Sequence, residues 1–180
     1  MGQIKLSIFH FPFSISLKLL LENIARLALL LFLQLLLLNN LHFLGVCTPC
    51  LYILFLIALP AELPNWAEQL IGAAVGMIMD IACNAPGVHM AACVALSYYR
   101  PILLHKLIPD DDRLIGTLST RVIDFPAYIR LTVALTLLHH TILFIFLNFT
   151  FHAFWLTLIQ ILVSAAATIL LIVGREFLRK

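Results

Sequence analysis

The chain has 180 residues, 63% of them hydrophobic and only 11% charged, with a formal net charge of +2. A soluble domain is nearer half apolar and a quarter charged. The mean hydropathy of +1.07 therefore makes the bilayer part of the solvent and predicts an all-α integral membrane protein with little material outside the lipid. The small net charge implies no nucleic-acid partner, and four cysteines in or beside apolar runs make no secreted disulfide framework.

Residues 1–16 are short and weakly basic. Gly2 follows Met1, but Leu6 stands where a myristoylation signal needs Ser or Thr. The first apolar run, 27–44, resembles a signal-peptide core but is too long and lacks a small-residue cleavage site. It reads as an uncleaved first span with Lys18 and Arg26 at its start. A second, marginal span covers 46–59, followed by a turn marked by Pro60, Glu62, Pro64 and Glu68. The third span is 66–83 and the fourth 88–107, the latter interrupted at Arg100-Pro101. Tyr98 and Tyr99 fall where an interfacial aromatic belt is expected. The polar stretch 105–126 reads as a solvated loop or a docking surface, and the aspartates at 110–112 are expected to cap a short interfacial helix over 114–125. The fifth and sixth spans are 127–147 and 153–173. The whole chain is thus one transmembrane domain of about six helices.

Lys and Arg set the orientation. With a cytoplasmic N-terminus, the outer connections 39–49, 84–87 and 148–152 carry no Lys or Arg. Every basic residue then lies in or near a cytoplasmic segment, with Arg100 snorkelling from the inner end of the fourth span. Both termini are expected in the cytoplasm. A five-span alternative makes 46–59 re-entrant and puts the C-terminus outside.

The third span carries the most distinctive pattern. Gly72, Gly76 and Asp80 are spaced i, i+4, i+8, so they share one helix stripe. Two glycines allow close backbone approach, and an aspartate on that stripe faces protein rather than hydrocarbon. The helix ends at the turn Asn84-Ala85-Pro86-Gly87, and His89 returns on the next helix at nearly the depth of Asp80. Three readings are open: a local bond that fixes the hairpin, a polar cluster that grips a partner helix, or a proton relay, with His89 or His139 assisting Asp80 in an intramembrane enzyme.

The remaining motifs are weaker. Cys47-Thr48-Pro49-Cys50 resembles a redox CxxC but has no soluble domain around it. Adding His42 leaves too few ligands for zinc. His139 and His140 are adjacent on a helix, about 100° apart, which disfavours a shared ligand and favours histidine buried and hydrogen-bonded between helices. No metalloprotease, serine-hydrolase or phosphate-loop motif is present in the sequence. No enzyme activity, metal or cofactor is expected.

The stretch Gly72–His89, GAAVGMIMDIACNAPGVH, resembles the hallmark of the bacterial rod shape-determining protein MreD family. Residues 37–52, Arg100-Pro101-Ile102-Leu103-Leu104 followed by Pro109-Asp110-Asp111, and Leu138-His139-His140-Thr141 are similar as well, in the same order. The resemblance implies a six-helix fold of the S-component transporter type and no catalysis. It implies a scaffold of the cell-elongation machinery in the bacterial inner membrane, working with the bitopic protein MreC, the filament protein MreB and the RodA–transpeptidase wall synthase. The family positions it marks are Gly72, Gly76, Asp80, Pro86, Gly87, His89, Arg100 and Pro101, with Asn84 beside them from the residue reading. The Cys47/Cys50 pair is not part of that pattern. A small-molecule carrier is the competing reading, since the architecture is shared with transporter subunits.

Overall fold

The computed structural model describes residues 17–40, 46–61, 63–107, 118, 123–149 and 154–178. Its elements are α1 (Leu17–Leu36), a 3₁₀ turn (Leu38–Asn40), the short α2 (Ile53–Ile57), α3 (Asn65–Cys83), α4 (Val88–Leu107), α5 (Phe125–Leu147) and α6 (Phe154–Leu178). All regular structure among the described residues is helical. Helices α3, α5 and α6 are long and apolar enough to cross a membrane.

The frame is two antiparallel hairpins, α3–α4 and α5–α6, joined by packing of α4 on α5. Each buries one stripe and leaves large apolar side chains such as Ile81 and Leu170 on the outside, 76% and 72% exposed. The turn between α3 and α4 needs two left-handed residues, Asn84 (φ 51°) and Gly87 (φ 84°). Asn tolerates that region and Gly enters it freely. Pro64 precedes α3 in extended geometry, and Pro126 sits in the first turn of α5, where its missing N–H has no helical partner to lose.

The second predicted span differs from its expectation. Residues 46–59 form no spanning helix: α2 has five residues, about 7.5 Å of rise. Yet the segment traverses the bundle interior. Thr48 lies against Ser164 of α6, Cys50 against Thr168 and Tyr52 against His139 of α5, while Ile57 and Leu59 reach Arg100 of α4, and Ala58 reaches Leu118. The chain thus descends from the α3–α4 turn towards the opposite end as extended backbone, then as one and a half turns of helix. Every residue from Tyr52 to Pro60 is buried, and α2 touches α1, α3, α4 and α5.

Helices α3 to α5 begin and end within two residues of expectation, whereas α6 runs five residues past its predicted end and α1 ends eight residues before its own. Helix α1 lies ten residues upstream of the predicted start, and α4 continues through Pro101 without ending. His42, the aspartates at 110–112 and most of the predicted 114–125 helix lie outside the described residues.

Candidate functional site: a broken segment held by buried polar side chains

An unwound segment inside a bundle leaves backbone groups that no helix or sheet satisfies, and each must find a partner. Three side chains supply them here. The Gln34 carboxamide of α1 donates to Pro49 O (3.0 Å) and accepts from Leu51 N–H (2.7 Å), pairing with the chain as a neighbouring strand would. On the other edge, Thr48 N–H donates to Ser164 Oγ (2.9 Å) and Cys50 N–H to Thr168 Oγ1 (3.0 Å). Extended backbone turns alternate N–H groups to one side, and Ser164 and Thr168, four apart, stand on one face of α6. The two periods match.

The lower end of the segment is held by Arg100. Its Nε donates to Ile57 O (3.1 Å), one terminal nitrogen to Leu59 O, and the other to Glu68 Oε1 at 2.5 Å. Both side chains are buried, with 0% and 1% exposure. Carbonyls at the end of α2, which lack helical partners, therefore receive a cation, and the cation receives a counter-charge from the first turn of α3. The expected snorkelling of Arg100 is corrected: its guanidinium has something to bind inside, so it does not turn outward.

Asp80 does one job. Its carboxylate accepts from Gly87 N–H (3.0 Å), His89 N–H (2.7 Å) and Met90 N–H (3.1 Å). These are amides of the first turn of α4, which begins at Val88 after a glycine that has no side chain to cap with. The preceding helix supplies the cap instead, and the anion sits on the positive end of α4. Of the three readings of Asp80, this geometry is the bond that fixes the hairpin. Asn84 is exposed and supplies the left-handed end of α3, while Pro86 and Gly87 form the exposed turn.

Gly72 and Gly76 face α4 of the same chain. A Cβ on Gly76 would fall on Met90 backbone and within 2.8 Å of His89 O, and one on Gly72 within 2.9 Å of Cys93 O. The close approach read from the spacing is present, and it is used within the hairpin.

The His89 imidazole turns away from Asp80. Its Nδ1 lies 3.0 Å from the Tyr52 hydroxyl, which also lies 3.0 Å from His139 Nε2. One hydroxyl proton cannot serve both, so the two rings play opposite roles, one donating and one accepting. His140 Nδ1 faces Thr136 O at 2.9 Å and must donate there, leaving an unprotonated Nε2 3.3 Å from Thr168 Oγ1, whose own proton goes to Ser164 O at 2.8 Å.

His139 and His140 are both buried and hydrogen-bonded between the helices, as expected, and they also lie beside Cys50. Their rings are 5.4 Å apart, and one ligating atom from each, with Cys50 Sγ, lies within 4.8 Å of the others. Two residues 100° apart on a helix both face an extended chain lodged in the angle between them. Cys47, half-buried, is not in this group. All four cysteines are free thiols.

Sequence reasoning missed Gln34, Tyr52, Cys93, Ser164 and Thr168, and gave Glu68 only a turn. Their signal was present: Gln34 is a lone amide in an apolar run, and Ser164 and Thr168 are hydroxyls four apart in another. No family model, curated protein or solved structure matches the chain.

Proposed function

We propose that this chain is a non-enzymatic scaffold of the bacterial inner membrane, of the MreD kind, which offers its outer helix faces to other membrane helices. The observation that carries the reading is the use made of the polar motif residues. Asp80, Arg100, Glu68, Gln34, Ser164 and Thr168 bind this chain's own backbone and each other. A catalyst needs such groups aimed at an access route. A scaffold needs them to make its apolar faces rigid.

In this reading the chain crosses the bilayer six times. The second crossing is the broken segment 46–60, since irregular backbone is tolerated at membrane depth only where protein covers it. Six crossings return both termini to the cytoplasm and satisfy the Lys/Arg rule, in the manner of an S-component-type bundle. Reporter fusions after Lys106 and at the C-terminus are expected to give cytoplasmic signals.

The partners proposed are an MreC-like bitopic protein and, through it, MreB and the RodA–transpeptidase synthase. Because Gly72 and Gly76 face α4, the docking surface moves to outward positions such as Ile81 and Leu170. A photo-crosslinking residue at either position in intact cells should capture an MreC-like protein. Adducts with lipid alone at both positions, in a protein that still assembles, would overturn the scaffold reading.

One observation favours a second reading, a small-molecule carrier. Broken helices near the midplane frame substrate sites in transporters, and the segment at Tyr52 is of that form. A ligand-dependent rise in Tm across a vitamin panel would support it.

A further inference from the structure

We propose that Cys50, His139 and His140 form a binding site for Cu(I) in the interior of the bundle. This inference does not depend on the scaffold reading. Three observations carry it. The first is convergence: one ligating atom from each of these buried residues lies within 4.8 Å of the other two. Ligands about 2.0–2.3 Å from a trigonal ion stand about 3.5–4 Å apart, so side-chain adjustments of an ångström or less complete the site.

The second observation is the state of the imidazoles. His140 donates its Nδ1 proton to the Thr136 carbonyl at 2.9 Å. That leaves Nε2 with a lone pair and a fixed ring, the outer support that metal-binding histidines ordinarily have. His139 has its Nε2 at Tyr52, and its Nδ1 is buried with no hydrogen-bond partner. A buried polar atom without a partner carries a desolvation penalty that a ligand would relieve. When Nε2–H donates to Tyr52, that Nδ1 is a free lone pair.

The third is donor chemistry. The group offers a thiol and two imidazoles and no carboxylate; Asp80, the nearest acid in the hairpin, is occupied by three amides. Such a set excludes calcium and magnesium and selects a thiophilic d10 ion. Charge then chooses between the two common ones. One thiolate with two neutral imidazoles neutralises Cu(I), whereas Zn(II) retains a positive charge unless a second thiolate joins. Buried net charge is strongly disfavoured. One further thiol, that of Cys93, lies 3.9 Å from His139 Nε2. Binding is a simple exchange: the Cys50 S–H bond breaks, a sulfur–copper bond forms, and one proton leaves to solvent for each ion bound.

The test is anaerobic titration of the full-length protein in detergent with Cu(I), competed against a chromophoric Cu(I) chelator, together with X-ray absorption on the loaded protein. One equivalent is expected, with one sulfur and two imidazole nitrogens around copper. Cys50→Ser and His140→Gln should each weaken binding at least 100-fold, whereas Cys47→Ser should leave it unchanged and Cys93→Ser should change it less than tenfold. The absorption measurement needs no variant, so a misfolded mutant leaves the proposal testable. Two sulfurs and no imidazole around copper would overturn it, as would loss of the bound equivalent in Cys47→Ser. Zn(II) binding that requires Cys93, without Cu(I) binding, would overturn it as well.

Discussion

The α3–α4 hairpin and the broken segment 46–60 solve the same problem by different means. Both bring backbone close to backbone in an apolar interior, and both expose amides or carbonyls that helical bonding cannot serve. In the hairpin the solution is local. Asp80 is seven to ten residues from the amides it caps, and the glycines meet the helix that follows directly. In the segment the solution is distant. Pro49, Leu51, Thr48, Cys50 and Ile57 are served by Gln34, Ser164, Thr168 and Arg100, up to 118 residues away. The hairpin thus closes its polar bonds within itself, whereas the segment depends on groups from α1, α4 and α6.

The comparison predicts where substitutions hurt most. Arg100→Met should have the largest effect, because it leaves Glu68 buried without its counter-ion and removes donors from two carbonyls. Breaking a buried pair costs about 3–5 kcal/mol, read as a lower Tm in detergent. Adding Glu68→Leu should restore part of that loss. An Arg100→Met protein as stable as the wild type would mean the segment does not depend on the clamp.

Gly76→Leu comes next and strikes the other region. Its side chain would meet the backbone of His89 and Met90, which cannot give way as a flexible side chain can. Overpacking of this kind costs about 1–3 kcal/mol. Disulfide trapping between cysteines placed across α3 and α4 would show the helices separating. If the trapping yield is unchanged, the close approach is not what joins them.

How much was legible follows the same division. The stripe Gly72, Gly76, Asp80 and the turn at Pro86-Gly87 were readable because helical period and turn chemistry are local rules, and the boundaries of α3 and α4 fell within a residue of expectation. The bundle class was readable from composition. The course of the segment 46–60 was not, since a short apolar run has the same composition whether it winds into a helix or lies extended. Its conformation depends on partners far along the chain. Arg100 was misjudged for that reason: a lone arginine near a helix end ordinarily reaches for water, and only the fold reveals the carbonyls of Ile57 and Leu59 beside it. His139 and His140 were legible as imidazoles buried and hydrogen-bonded inside the bundle, whereas their neighbours Tyr52 and Cys50 were not, because those come from the distant segment.

Asp80 separates the capping role from a catalytic one. Asp80→Ala removes the acceptor of three amides at the start of α4 and should cost about 2 kcal/mol. Asp80→Asn keeps an oxygen for them and should recover about half. A cap tolerates the amide and a proton carrier does not, so a variant that is stable but inactive as Asn would overturn the structural assignment.

The smallest effect expected is at Gly87, and it sharpens the account of the turn most. A Cβ there meets nothing within 4 Å, so a substitution introduces no clash, yet φ is +84°. The whole penalty of Gly87→Ala is then conformational, about 1 kcal/mol for an L-residue held in the left-handed region. Gly174 gives the control: a Cβ there is also unobstructed, but the residue lies in the helical interior of α6. Gly174→Ala should raise stability by up to about 1 kcal/mol. Opposite signs at two equally open positions would show that the turn is set by backbone geometry. Equal signs would mean that Gly87 takes another conformation, and that Asp80 alone holds α4 in place.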